Sequence, residues 1–438
     1  MKILIVAFYY PPEDSWAKVA SLRPYSWKKY WSKLGHQVYV VTDFKDHSEQ
    51  SDPYVFPINY WPSRPQWKNS KSSGTQAKSL NTIFQKLNLY NKLRMLFRSI
   101  RSFVGIGSLI QISNFWIYPA LRKVFLLADE VDFDLIVSTY GPPANHIISS
   151  LVQRKKQCFW VADYRDLWYG NDFVLSSGLF AVLEKKIEDL CVSQANLITT
   201  VSQGLTEELK DRFQPAIITI ENGFDPDDLE ETQIRSWSDN KIRLMYAGQI
   251  YAGKRDPMPL FKSLVLLKNS YRDLSHKIEI LFYGWNLDTL NHLVDAMDLH
   301  DVVSVNTAKP RREILGLQQS VDALIFLDWN DTSVKGILTG KLFEYFFSGK
   351  PIVGIGSTPD SAAGELMTEL GVGYPLGSSP QNIADCIERM LNGQSIGYSP
   401  QHEKIQQYTR EHLANKMLDA IIGQIKEQDC SGKSSYED

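Results

Sequence analysis

Short apolar runs recur along this chain, each closed by a polar or glycine-containing turn. Six fall in the first half, at 3–8, 38–42, 135–138, 159–162, 197–201 and 217–220. Five fall in the second, at 242–246, 278–282, 302–305, 323–327 and 352–355. They are apolar at successive rather than alternate positions, which marks strands buried on both faces of a parallel sheet. Helical patterns lie between them, for example at 179–192 and 259–268. Strand and helix alternating through two series predict an α/β protein. Its architecture should be two Rossmann-like, doubly wound domains facing a central cleft at the carboxyl ends of both sheets.

The polar, turn-rich segment 223–240 is the expected linker between domains spanning 1–222 and 241–402. A last helix is expected at 403–426, followed by a disordered polar tail at 427–438. The stretch 53–128 stands out because it contains no Asp or Glu while carrying many bases and aromatic residues. Within it, 80–103 mixes Leu, Ile, Phe and Met with bases, the pattern of an interfacial helix. Each base near an anionic bilayer contributes about 1 kcal/mol, so this insertion is expected to face a membrane surface. The competing reading is a basic insertion packed on the first domain.

Composition removes several function classes. A net charge of −3 over 438 residues argues against a nucleic-acid binder. The four cysteines have no Cys-x-x-Cys spacing and the eight histidines no His-x-x-x-His pair, so no metal site and no disulfide framework are expected. The apolar start is short and runs into Pro11, Pro12, Glu13 and Asp14, which suits a first strand better than a cleaved leader. No run reaches the roughly 18 apolar residues of a membrane-spanning helix. The two Asp-x-Asp triplets, at 132–134 and 225–227, sit in turns, and no dinucleotide-type glycine motif follows the first strand.

The most informative segment is 339–355, a tight loop, a short helix and a buried strand. Thr339, Gly340, Lys341 and Leu342 form a helix start whose amides suit a phosphate. Glu344, one turn further on, is an acid among apolar and aromatic neighbours. It fits an acceptor for sugar hydroxyls such as those of a ribose, or else a solvated surface glutamate. Earlier, a strand ends at Gly248 and the following loop presents Lys254 and Arg255. Fixed cations and helix-start amides can stabilise a departing diphosphate without a metal. Lys254 and Arg255 are the candidates for that work. In 163–166, Arg165 could bind a phosphate or sugar hydroxyl and Asp166 could orient it or touch an acceptor. A structural ion pair at the strand end is the equal alternative. His146 reads as a helix-packing histidine.

Taken in order, the motifs at 11–24, 34–42, 163–168, 221–225, 246–257 and 339–355 resemble those of the bacterial family-four (group 1) glycosyltransferases. These have the GT-B fold, and the likeness is greatest to members that build lipid-linked capsule or lipopolysaccharide chains. The resemblance implies an N-terminal acceptor domain and a C-terminal nucleotide-sugar domain. It implies a retaining, metal-independent transferase that needs no cofactor, taking a nucleotide diphosphate sugar, UDP-linked rather than GDP-linked, as co-substrate. The family's matching bases hold the diphosphate, and its acid at the position of Glu344 holds the ribose. Residues 11–23 match its mobile acceptor loop, which assigns Glu13, Ser15, Trp16 and Arg23 to the acceptor, with Ser15, Trp16 and Ala17 where glycines are usual. A second family acid falls at Gly336 here, and a common histidine falls at Arg165. With the basic stretch, the expected acceptor is a polyprenyl-diphosphate-linked saccharide, at the cytoplasmic face of the membrane. The alternatives are a nucleotide-sugar 2-epimerase of the same fold and a non-catalytic assembly partner.

Overall fold

The computed structural model describes residues 1–11, 18–43, 52–61, 92–93, 95–97, 99, 105–171, 174, 176–230, 232–250, 255–285, 287–328 and 339–434. The chain divides into two compact units. One comprises Met1–Ile220 with Ala414–Asp438, and the other Glu221–Leu413.

The first unit is built on a parallel sheet of seven strands. These are β1 (Lys2–Val6), β2 (Gln37–Asp43), β3 (Val55–Ile58), β4 (Leu135–Thr139), β5 (Phe159–Tyr164), β6 (Leu197–Thr200) and β7 (Ala216–Thr219), in the spatial order β3-β2-β1-β4-β5-β6-β7. Residues of both parities along the central strands are buried. Leu4, Ile136, Trp160 and Ile198 point into one core, while Ile3, Ile5, Val137 and Val161 on the other parity are equally inaccessible. That two-sided burial is what the uninterrupted apolar runs required.

The second unit repeats the plan with β8 (Ile242–Ala247), β9 (Ile278–Gly284), β10 (Val303–Thr307), β11 (Ala323–Leu327), β12 (Ile352–Ile355) and β13 (Gly373–Gly377). Their order is β10-β9-β8-β11-β12-β13, all parallel. Alternate residues again serve two cores, with Tyr246, Phe282 and Ile325 on one face and Met245, Leu281 and Phe326 on the other. In each unit the winding reverses once, between β1 and β4 and between β8 and β11. Ligands of such sheets bind beyond the carboxyl ends of the strands at these reversal points.

All eleven expected strands are present. Two more, β3 and β13, were not read from the sequence. Both are half-buried edge strands carrying a proline, Pro57 and Pro375, which an edge tolerates and a pattern search for buried strands passes over.

Three further expectations change. The ends of the acid-free stretch are integral to the first unit. They supply β3 and the helix Ile117–Glu130, whose Ala120 and Val124 are fully buried beside Trp116. Its central part, including residues 62–91, lies outside the described residues. The last helix runs Arg410–Ser434, through most of the segment expected to be a disordered tail. From Ala414 it belongs to the first unit, where its Ala414 carbonyl accepts the Trp31 indole N–H at 2.9 Å. Finally, the segment expected to be a linker contains a helical turn, Asp227–Glu230, and counts with the second unit.

Candidate functional site

In the second unit the predicted donor residues gather at the reversal point. Gly248 follows β8 directly, with φ +143°, and donates its amide to the Tyr283 carbonyl at 2.8 Å. A Cβ at Gly248 would collide with the Lys341 ammonium, so a glycine leaves room for that cation. Lys341 reaches this point from the helix Gly340–Phe346, which lies between β11 and β12 in the chain. Its Nζ lies 3.8 Å from the centroid of the Tyr246 ring. A cation over an aromatic face is held by about 0.5–2 kcal/mol. Burial lowers the Lys341 pKa well below the usual lysine value. The charge of Arg255 lowers it further, and Glu344 opposes the shift. Burial raises the Tyr246 phenol, against the charge of Arg255 and a hydrogen bond from its side chain. Arg255, Tyr246, Lys341 and Glu344 therefore act on one another electrostatically.

The helix start is less open than its sequence suggests. The Leu342 amide donates to the Thr339 carbonyl at 3.0 Å, and the Leu342 side chain is fully buried. Leu342 thus closes the turn, and Gly340 and Lys341 carry the amides ahead of it. The Thr339 hydroxyl is buried and has no hydrogen-bond partner among the described residues.

Glu344 is not a solvated acid. One carboxylate oxygen accepts from Arg311 Nη1, and the other accepts from Gln318 Nε2 at 2.7 Å. Arg311 in turn pairs with Asp228 at 2.9 Å and lies 5.6 Å from the Phe224 ring centroid. Arg311 and Gln318 stand seven positions apart on the helix Arg311–Ser320, hence on one face. Sequence reasoning missed Arg311, Gln318 and Asp228. Nothing local separates Arg311 from its neighbour Arg312, and Asp228 sits in what reads as linker.

In the first unit, Arg165 follows β5. Its Nε and Nη2 donate to the Tyr140 carbonyl at 3.1 and 2.7 Å. The guanidinium lies across Gly141, where a Cβ would come within 2.7 Å of Nη2. Asp166 is exposed. Arg165 therefore stands at the carboxyl end of the sheet, anchored by a backbone oxygen rather than by an acid.

The ion pair that the sequence reading allowed at this strand end is made by different residues. Asp163, fully buried, accepts from Arg23 Nη2 at 2.7 Å, from Thr139 Oγ1 at 2.8 Å and from Thr199 Oγ1 at 2.8 Å. Arg23, assigned to the acceptor, is itself 4% exposed and committed to this pair. Glu188 ties down the turn after β5. It accepts the Tyr164 hydroxyl at 2.9 Å and the Tyr169 amide at 3.0 Å, and pairs with Arg212. Burial raises its pKa and Arg212 opposes that shift. His146 is fully buried, bonded to Ser138 Oγ at 2.7 Å, and burial pushes its pKa down to about 3, which leaves it neutral and packing-bound.

Glu13, Ser15, Trp16, Lys254 and Gly336 lie outside the described residues. Among the described residues no group of three or more His, Cys, Asp or Glu side chains is placed to hold a metal ion.

No protein-family model matches the sequence, and no curated protein is detectably similar to it. Solved structures are similar in fold. The trehalose-6-phosphate phosphatase N-terminal domain of Candida albicans aligns with TM-score 0.62 at 11% identity, covering 97% of both chains. The Anabaena protein HepE, in complex with UDP, aligns with TM-score 0.58 at 13% identity, covering 97% of this chain and all of its own (100%). The UDP-GlcNAc 2-epimerase of Neisseria meningitidis, bound to UDP-GlcNAc, aligns with TM-score 0.52 at 12% identity, covering 97% and 100%. At such identities the likeness shows the fold alone: a doubly wound α/β chain of the GT-B type.

Proposed function

We propose that this protein is a UDP-sugar-dependent glycosyltransferase. The observation that carries the reading is the convergence of Lys341, Arg255 and the Thr339–Gly340 loop beside Glu344 at the carboxyl end of β8. Bond cleavage at a sugar's anomeric carbon leaves a diphosphate whose charge must be stabilised as it develops. A lysine ammonium and an arginine guanidinium fixed in a partly dry site do this without reorganising. Glu344 accepts the ribose hydroxyls. Arg165, anchored on the Tyr140 carbonyl, offers its remaining N–H groups to a sugar hydroxyl or an acceptor phosphate. In the front-face course that the family resemblance implies, the leaving diphosphate takes the acceptor's proton and configuration is retained.

A 2-epimerase is the second reading, supported by the fold shared with the Neisseria enzyme. The two readings separate in one experiment. The full chain is incubated with UDP-GlcNAc, UDP-glucose and UDP-galactose in EDTA, with and without a polyprenyl-diphosphate-linked saccharide. A transferase releases UDP only when the acceptor is present. Conversion of UDP-GlcNAc to its 2-epimer without acceptor would replace the transferase reading, and activity strictly dependent on added manganese would refute the diphosphate assignment.

The acceptor we propose is lipid-linked, met at the cytoplasmic face of an anionic membrane. Besides the acid-free stretch, the helix Gly178–Val192 supports this. It exposes Leu179, Val182, Leu183 and Leu190 beside Lys185 and Lys186, while Glu184 and Glu188 face inward. An apolar stripe flanked by bases suits an interface with anionic lipid. No described helix is long and apolar enough to cross a membrane. Flotation with vesicles containing phosphatidylglycerol should carry the protein upward and fade with added salt. Equal flotation with neutral vesicles would remove the electrostatic part of this proposal.

A further inference from the structure

We propose that Arg311 and Gln318 are positioning residues that fix the Glu344 carboxylate as a two-point acceptor for a vicinal diol, with Asp228 anchoring Arg311. The inference rests on the reading of Glu344 as the acid that meets the ribose.

Acceptor geometry makes the case. A carboxylate offers about four lone-pair positions, two on each oxygen. Arg311 takes one position on Oε2 and Gln318 one on Oε1. One position therefore remains on each oxygen, the arrangement that two adjacent hydroxyls can meet together. Were both protein donors on the same oxygen, the diol would find its acceptors unevenly shared. The two donors also stop rotation about the last side-chain torsion, which is broad in a free glutamate.

Charge completes the argument. An unpaired acid beside a diphosphate site would repel the ligand it helps to bind. Arg311 is directly paired with Glu344, and it is kept from swinging away by Asp228 at 2.9 Å. Gln318 is 2% exposed, so its amide has no bulk water to turn to. The chain Asp228, Arg311, Glu344, Gln318 is thus a preformed support for one carboxylate.

The test is calorimetric titration of the full chain with UDP and with 2′-deoxy-UDP. The wild type should prefer UDP by about tenfold, the value of one hydrogen bond to a charged acceptor. Arg311→Met should weaken both nucleotides, because Glu344 loses its neutralising partner, but UDP by about tenfold more than the deoxy analogue, so the preference collapses towards one. Arg311→Lys should restore part of the preference, since an ammonium can meet Glu344 but cannot fork to Asp228 as well. Gln318→Leu, nearly isosteric, should also erode the preference and serves as the readout should Arg311→Met fail to fold. An equal loss for both ligands in the Met and Leu variants would overturn the proposal in favour of a merely structural pair. Tighter UDP binding by Arg311→Met would overturn it by showing that Arg311 occupies the ribose position. A wild type that binds both nucleotides equally would remove the role of Glu344 and the proposal with it. One that binds neither would remove the nucleotide-site reading altogether.

Discussion

Replacing Lys341 by alanine should lower the rate of UDP release by about a hundredfold, the usual cost of removing one fixed donor from a developing oxyanion. The same residue should make nucleotide binding pH-dependent. In the free protein, burial and then the charge of Arg255 hold the Lys341 pKa well below the ordinary lysine value. A bound diphosphate brings negative charge to the ammonium and raises that pKa again. Below the free-protein pKa the lysine is charged with or without ligand, and affinity is at its highest. As pH rises through the interval between the free and bound values, binding must first recruit a proton, and affinity falls. Calorimetry of UDP binding in buffers of different ionisation enthalpy should therefore show proton uptake in that interval. Lys341→Met should abolish it. Proton release on binding, or uptake that survives in Lys341→Met, would assign the diphosphate to other groups.

The second large effect concerns the fold. Arg23→Met leaves the Asp163 carboxylate buried with only Thr139 and Thr199 to satisfy it. Breaking such a pair from one side costs about 3–5 kcal/mol, because the remaining charge has no solvent. The midpoint of urea denaturation should drop accordingly. The double change Arg23→Met with Asp163→Leu should recover part of the loss, since it removes both charges together. Arg23→Met with unchanged stability and a raised KM for the acceptor would return Arg23 to the acceptor site, where the sequence reading had put it.

That reassignment shows what the sequence could and could not display. Runs such as 159–162 and 323–327 carry their burial in their composition, so the two sheets were legible. The edge strands β3 and β13 were not, because an edge makes weaker demands and admits Pro57 and Pro375. Glu344 was legible as an unusual acid in an apolar helix. Its partners were not, since Arg311 lies 33 positions from Glu344 and Asp228 a further 83 from Arg311, and ordinary bases and acids surround them. Arg23 lay in a recognisable motif, but motif membership says nothing about which way a guanidinium faces. Asp163 began the same motif, yet the structure makes it the buried acceptor shared by Arg23, by Thr139 of β4 and by Thr199 of β6.

The division of the helix Arg410–Ser434 between the two units makes the second unit a cassette. Its chain is continuous from Glu221 to Leu413, and its ends are stitched together: Phe224 donates to the Tyr408 carbonyl at 3.1 Å and accepts from the Arg410 amide at 2.9 Å. Such a segment holds all its own strands and can complete its core as soon as it is synthesised. The first unit cannot. Trp31 waits for Ala414, and Met417, Leu418 and Ile421, in the same late segment, are buried. During synthesis the second unit is thus the earlier of the two to be finished, although it is the later to begin.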